Sequence, residues 1–150
     1  MGRWRLLRRR RGVPSSEEDT LNEEDVKLIM NPSRENWSKW NNLAEEVAKK
    51  FKKVKTHQLR KVYSEVEIVR RLAKENSIDE ALKRIAMIRA RLAHSAGRMK
   101  DIRKFYEAIR VMTDKILDNT YSKKEHLENF CSFMEAVVAY HKYYSETGGR

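Results

Sequence analysis

The chain has 150 residues, and its 33 lysines and arginines outnumber its 22 acidic residues, so the formal net charge is +11. This length favours a single domain with a real core, and the charge favours a polyanionic partner or surface. One cysteine, Cys131, excludes an internal disulfide framework, and no apolar run approaches the roughly 18 residues of a membrane span, so we expect a cytoplasmic protein without a membrane role.

The chain opens with a basic segment. Residues 1–12 carry six arginines and no acid, and they lack the apolar stretch of a secretory signal. We expect a disordered basic arm over residues 1–16 that adds non-specific affinity for nucleic acid. The alternatives are a tag or start-site artefact, and a DNA-binding or membrane-surface protein that uses this arm. The bundle domain is then expected over residues 17–146, and residues 147–150 form a disordered tail.

Helical periodicity runs through the rest of the chain, and no stretch shows the two-residue alternation of a strand. Thr20 and Glu23 have the spacing of a capping box, which predicts a short acidic helix ending near Met30. The pair Asn31-Pro32 ends this helix. Ser33 is expected to cap a second helix, whose apolar face comprises Trp37, Trp40, Ala44, Val47, Ala48 and Phe51.

Two longer amphipathic helices follow. Thr56 is a good N-cap residue and is expected to open the third helix. The fourth helix is expected to start at the capping box of Ser77 and Glu80 and to stop at Gly97. The third helix has the clearest apolar stripe of the chain, formed by Leu59, Val62, Tyr63, Val66, Val69, Leu72 and Ala73.

The last helix differs from the others in its apolar pattern. A fifth helix precedes it, and it is expected to open at Ser122 and to run to about Tyr144. Between Phe130 and Tyr140 it is apolar almost all round, whereas a surface helix shows one stripe, so it is either central or buried in a partner. Cys131 is expected to be a small core residue there. The pattern predicts an all-α, single-domain bundle of five main helices plus a short N-terminal helix.

The stretch from Lys49 to Lys61 carries seven cations, and no acid lies between Val47 and Ser64. It spans the junction of the second and third helices. A cation near a helix N-terminus is unfavourable by about 0.3–1 kcal/mol, whereas the same end binds phosphate well. A bound phosphate backbone explains the cluster, and a solvated lysine face explains it equally well on residue types alone.

An arginine pattern continues the basic surface. Arg84, Arg91 and Arg98 recur every seven residues, and Arg103 and Arg110 repeat that spacing on the next helix. Residues at this spacing share a helix face, and such stripes can follow a nucleic-acid backbone by charge. Because few aromatic residues lie outside the predicted core, recognition of the backbone or of duplex shape is favoured over recognition of bases.

Catalytic and metal-binding patterns are sparse. None of the four histidines pairs with another histidine or with the cysteine at metal-ligand spacing, so we expect no metal, no cofactor and no catalytic residue. One alternative is open: Arg89 and His94 have the Arg-x4-His spacing of all-helical HEPN-type ribonucleases, in which imidazole acts as acid or base and arginine stabilises the oxyanion. In the non-catalytic interpretation, His94 packs beside Leu92 and Ala93.

Three segments between residues 56 and 142 resemble the small helical subunit of type III-A CRISPR interference complexes, the Csm complexes. They are Thr56-His-Gln-Leu-Arg-Lys-Val-Tyr63, Ile88-Arg-Ala-Arg-Leu-Ala-His-Ser-Ala-Gly-Arg98 and Phe133-Met-Glu-Ala-Val-Val-Ala-Tyr-His-Lys142. The family shows Thr/Ser-x-Gln-Leu/Ile-Arg-Lys-x-Phe/Tyr, Lys-Pro-Lys-Leu-Ala-Tyr-x-x-Gly-Arg and Phe-x-Glu-Ala-Ile-Val-Ala-Tyr-His-Lys in these places. Ala90 replaces the usual proline and His94 the usual tyrosine, so a helix can continue through that turn. The first fifty residues show no matching motif.

The resemblance implies a non-catalytic, all-α RNA-binding subunit present in several copies. These copies would hold target RNA as it pairs with the guide, and would contact one another, the backbone subunits and the large polymerase-like subunit. Carried over by motif, the implied RNA contacts are Gln58, Arg60, Lys61, Arg89, Arg91 and Arg98. Charge and position alone add Lys52, Lys53 and Lys55. Because the family has basic residues at the positions of Arg89 and Arg91, the resemblance favours RNA binding over catalysis for Arg89.

Overall fold

The computed structural model describes residues 21–147, and these residues form six helices and no strand. The helices are α1 (Glu23–Met30), α2 (Trp37–Lys50), α3 (Thr56–Lys74), α4 (Ile78–Arg98), α5 (Lys100–Leu117) and α6 (Lys124–Thr147). The predicted all-α bundle of five long helices and one short helix is therefore confirmed. The expected basic arm over residues 1–16 and the last three residues of the expected tail lie outside the described residues. No helix within residues 21–147 is long and apolar enough to cross a membrane.

The first two helices begin later than their sequence signals predicted. α1 is capped by Asn22, whose Oδ1 accepts the Asp25 N–H at 2.8 Å while Asp25 Oδ2 accepts the Asn22 N–H at 3.1 Å. The expected cap by Ser33 is wrong, because Ser33 precedes a turn in which its N–H donates to Asn36 Oδ1 at 2.7 Å. α2 therefore begins at Trp37, three residues after the position that a Ser33 cap implies.

The next two helix starts were predicted to within one residue, and the N-cap residue was predicted correctly for α4 but not for α3. Lys55 occupies the N-cap position of α3, so Thr56 is the first helical residue and not the cap. Ser77 does occupy the N-cap position of α4, yet its side chain forms no capping hydrogen bond. α4 also passes through Gly97 and ends at Arg98.

α6 is the central helix of the bundle. It packs against α1, α2 and α3, while α4 packs between α3 and α5. Its inner residues are buried, and these include Phe130, Cys131, Phe133, Met134 and Val137. Burying a side chain of this size stabilises the fold by roughly 1.5–3 kcal/mol. Of the two explanations for its apolar surface, burial inside this chain is the one observed.

Trp37 was predicted to be a core residue, but it is exposed. The sequence pattern placed it on the apolar face of α2, but its side chain is 48% exposed. Because α2 begins at this residue, Trp37 lies at the margin of the bundle, where its ring packs edge-on against Trp40 at a centroid distance of 5.2 Å. Trp40 in turn packs against Phe133 at 5.5 Å and is part of the core.

Cys131 is expected to resist alkylation in the native protein. Its thiol is buried and lies 3.5 Å from the Val66 carbonyl oxygen, and burial raises its pKa to about 12. Only the thiolate reacts, and at pH 8 this pKa leaves very little of it. We expect iodoacetamide to label Cys131 slowly in buffer and completely in denaturant, as followed by intact mass. Rapid labelling of the folded chain would contradict this assignment.

Candidate nucleic-acid interface

The turn between α2 and α3 directs its lysines outward. Phe51 and Val54 are buried in this turn, with 3% and 2% of their surfaces exposed, and the Phe51 ring packs edge-on against Phe105 at 5.4 Å. Since these apolar residues take the inward positions, the intervening cations are left in solvent. The exposed lysines of the turn are Lys52, Lys53 and Lys55. We refer to residues 51–55 as the lysine turn.

A buried histidine of α6 fixes the lysine turn. His141 is 1% exposed, and its Nε2 lies 2.7 Å from the Val54 carbonyl oxygen. A carbonyl oxygen can only accept, so Nε2 carries the hydrogen and donates it. Nδ1 lies 3.4 Å from the Ser145 hydroxyl. This role of His141 was not predicted from the sequence, although the resemblance of the surrounding segment to the family C-terminus was a signal for it.

The start of α3 lies directly after the lysine turn and has no side-chain cap. The Lys55 carbonyl accepts the N–H groups of Gln58 and Leu59 at 3.0 and 3.3 Å. No acid lies in the first helical turn. Because the first N–H groups of a helix have no partner within the helix, this end can bind an anion.

Five cations surround this helix start without carboxylate partners. They are Lys52, Lys53, Lys55, Arg60 and Lys61, all of which are exposed. None of them forms an ion pair with another residue of the range 21–147. Lys49, by contrast, lies over the Tyr144 ring at 5.3 Å. Within the part of the chain that is described, the positive charge at this end of the bundle is therefore not neutralised.

Gln58 connects the start of α3 to the junction of α4 and α5. Its Nε2 lies 3.4 Å from the sulfur of Met99, and Met99 is the residue between those two helices. Arg98 and Lys100 flank Met99 and are exposed. They therefore lie at the same end of the bundle as the lysine turn. Lys100 was not among the residues singled out from the sequence, although it lies only two residues after Arg98.

A groove of about 560 Å³ runs between α3 and α4. We call it the α3–α4 groove. Its lining residues are Gln58, Lys61, Val62, Ser64, Glu65, Ile88, Arg91, Leu92, His94 and Ser95. Three predicted RNA contacts, Gln58, Lys61 and Arg91, therefore border one surface. His94 is exposed and lines this groove together with Leu92.

Glu65 neutralises part of the arginine stripe. Its Oε1 accepts hydrogen bonds from Arg84 Nη1 at 3.2 Å and from Arg91 Nη1 at 3.1 Å. These two arginines share a face of α4, as their spacing predicted, and α3 supplies the carboxylate between them. Ion pairs with this much solvent contact contribute only about 0–1 kcal/mol, so a phosphate can compete for either guanidinium.

Arg89 lies on the other flank of α4. Its Nη1 is 2.5 Å from Asp114 Oδ1 on α5. Positions two residues apart on a helix point about 200° away from each other around the axis. Because Arg91 faces α3, Arg89 faces the opposite side. Arg89 is therefore the predicted RNA contact that the fold separates from the rest. It is also separated from His94, which lines the α3–α4 groove.

The remaining histidines do not form a metal site in the described range. His126 accepts the Lys123 N–H through Nδ1 at 3.2 Å, at the start of α6, and burial lowers its pKa. His57 is exposed. Among residues 21–147, no group of three or more His, Cys, Asp or Glu side chains could hold a metal ion.

Comparison with known proteins identifies the family. A family model described as Csm2 Type III-A matches residues 34–147, which is most of the chain. The chain belongs to the Csm2 family. A relative from Streptococcus thermophilus, named "CRISPR system Cms protein Csm2", is 31% identical over 91 residues, which cover 59% of this chain and 71% of the relative. No solved structure matches the chain.

Membership in the Csm2 family makes this chain a small subunit of a type III-A CRISPR complex, with the other subunits of that complex as its partners. The Csm2 match also extends further than the motifs did. It begins at residue 34, so it includes α2 and the whole lysine turn, whereas the sequence motifs gave no match in the first fifty residues. α1 lies outside the matched range.

Proposed function

We propose that this small subunit is a non-catalytic RNA-binding protein that acts in the cytoplasm. It holds target RNA, and the duplex of target and guide, through contacts to the ribose-phosphate backbone. The observation that carries the proposal is the cluster of unneutralised cations around the uncapped start of α3. The contacts we propose at this end of the bundle are Lys52, Lys53, Lys55, Gln58, Arg60, Lys61, Arg98 and Lys100.

Electrostatics favour a polyanion as the ligand of this surface. The cations at the start of α3 repel one another and the partial positive charge of the helix end. A phosphate chain relieves both effects at once and is further bound by backbone N–H groups. Arg91 extends the surface along the α3–α4 groove. Arg89 can reach RNA only by exchanging Asp114 for a phosphate, so we place it at the margin of the interface.

Protein contacts are proposed for a different end of the bundle. Trp37, at the start of α2, exposes a large apolar surface, and aromatic side chains are enriched in protein interfaces. The lysine turn follows the other end of α2, about 20 Å away along the helix axis. We propose that surfaces remote from the cations contact neighbouring copies, the backbone subunits and the large polymerase-like subunit.

The alternative function, a ribonuclease using Arg89 and His94, needs both side chains at one phosphate. Arg89 is paired with Asp114 towards α5, while His94 lines the groove towards α3. Two side chains on different faces of α4 cannot act on the same phosphate within one chain. This separation supports the non-catalytic proposal.

Direct RNA binding tests the proposed function. Fluorescence anisotropy with the full chain and labelled RNAs of several sequences is expected to give similar affinities. The logarithm of the affinity should fall linearly with the logarithm of salt concentration, by about 0.7 per phosphate contacted in single strands. Failure to bind any RNA at low salt would refute the proposal.

RNA integrity distinguishes the two functions. Labelled single-stranded RNA incubated with the metal-free protein is expected to stay intact, and a His94→Ala variant should behave in the same way. Gel electrophoresis of the RNA provides the measurement. Cleavage by the wild type that disappears in His94→Ala would establish the ribonuclease instead.

A further inference from the structure

The α3–α4 groove combines an apolar interior with a cationic rim. Ile88 and Leu92 form its floor and are almost fully buried, and Val62 is half-buried beside them. Lys61 and Arg91 are exposed at the same groove. Its volume of about 560 Å³ is within the range of roughly 300–1,000 Å³ that is typical of small-molecule sites.

Neutral polar groups without strong partners also face this groove. Among residues 21–147, the Gln58 side chain has only the Met99 sulfur as a hydrogen-bond acceptor, and this is a weak one. The Ser95 hydroxyl lines the groove and bonds to no other described residue. His94 contributes an exposed imidazole. Amide, hydroxyl and imidazole groups are the kinds of donor and acceptor that pair with the edges of nucleobases.

We propose that the α3–α4 groove binds one unpaired nucleobase of the RNA, with an adjacent phosphate on Lys61 and Arg91. A nucleotide is complementary to this surface, because it joins a ring with apolar faces and a polar edge to an anionic phosphate. This inference rests on the proposed RNA-binding function and adds a base-dependent contact to it. No aromatic residue of the described range lines the groove, so the base packs between aliphatic side chains and its identity matters less than its presence.

Glu65 determines the orientation of the bound nucleotide in the groove. Its carboxylate borders the groove and is held between Arg84 and Arg91. A phosphate placed beside Glu65 would be repelled, since like charges at close range are unfavourable. The phosphate therefore stays at the rim, near Lys61 and the outer side of Arg91, and the neutral base enters the groove.

The test compares two ligands that differ only in their bases. One is a labelled single-stranded RNA oligomer, and the other is an abasic ribose-phosphate oligomer of the same length. At fixed salt, we expect the full chain to bind the base-containing oligomer about tenfold more tightly, a difference of about 1.4 kcal/mol. Equal affinities would overturn the base-binding inference and leave the proposed function intact. Failure of both oligomers to bind would instead overturn the proposed function and this inference with it.

A variant that fills the α3–α4 groove tests whether the base binds there. Ser95→Phe adds bulk at the groove without altering charge, and should bind both oligomers with the affinity that the wild type has for the abasic one. Ala90→Phe makes a comparable change at an exposed position of α4 outside the groove lining, and should retain the tenfold difference. Retention of the difference in a folded Ser95→Phe would place the base elsewhere and overturn the inference.

A crosslinking measurement on the wild type tests the same inference without requiring that any variant folds. RNA containing 4-thiouridine is bound to the full chain, irradiated and digested, and the modified peptides are identified by mass spectrometry. We expect crosslinks in the segments 58–65 and 88–95, which supply the groove lining. Crosslinks confined to other segments would overturn the inference.

Discussion

Replacing Arg60 and Lys61 together by glutamate is expected to lower RNA affinity on the order of tenfold to a hundredfold at moderate salt. Two attractive contacts are lost and two repulsive ones are created. Each exposed charge interaction contributes up to about 1 kcal/mol, and 1.4 kcal/mol is a factor of about ten. The salt dependence should also flatten, with a slope smaller by about 0.7 for each phosphate contact removed from single-stranded RNA. All RNA sequences should be affected alike, because phosphate contacts carry no sequence information.

The same helix provides a matched control. Arg71 and Lys74 lie near the C-terminal end of α3 and are exposed, so replacing both by glutamate makes an identical change in net charge. They lie about 20 Å along the axis from the first pair, which is beyond the screening length of about 8–10 Å near physiological salt. We expect this control to bind RNA almost normally. Equal losses in both double variants would mean that net charge, not the start of α3, determines binding.

Replacing His141 by alanine is expected to destabilise the folded chain by about 3–5 kcal/mol. The Val54 carbonyl would lose the donor at 2.7 Å, and an unpaired buried polar group costs about 1–3 kcal/mol. The cavity left by the imidazole adds a further cost, because large-to-small changes in a core typically total about 2–5 kcal/mol. Urea unfolding followed by circular dichroism measures the change. His57→Ala removes an exposed histidine and should stay within about 0.5 kcal/mol of the wild type.

A milder variant connects this contact to the RNA surface. His141→Gln keeps an amide donor and should recover part of the stability. In His141→Leu, which fills most of the space but cannot donate, the lysine turn should open more often. Hydrogen exchange at the Val54 amide, which bonds to the Phe51 carbonyl at 2.9 Å, should accelerate, and RNA affinity should fall with it. Unchanged exchange in His141→Leu would show that the histidine does not hold the turn.

The helices themselves could be predicted from the sequence because a helix is a local structure. Its hydrogen bonds join residues four apart, and its buried face repeats with the same short period. This is why the apolar stripe of α3 and the start of α4 near Ser77 were predicted correctly. For the same reason, the predicted starts of α1 and α2 differ from the observed ones by only a few residues. The Asn36 side chain accepts the Ser33 N–H, whereas Ser33 had been expected to cap the helix. Serine and asparagine are similarly favoured at the N-cap position, so the sequence alone does not distinguish them.

The basic character of the lysine turn was also determined by the sequence. An acid-free stretch with seven cations has no local carboxylate to neutralise it, and the family motifs placed RNA contacts beside it. That Phe51 and Val54 are buried, and thereby leave the lysines of the turn in solvent, was seen only in the structure.

Only the tertiary structure decided which charges and polar groups meet. Glu65 joins Arg84 across 19 residues, Asp114 holds Arg89 on the far flank of α4, and His141 reaches Val54 across 87 residues. The position of α6 at the centre, instead of in a partner's interface, was decided in the same way. Such contacts depend on how helices pack and which faces they present to each other, and that arrangement minimises the free energy of the whole bundle, not of any one segment.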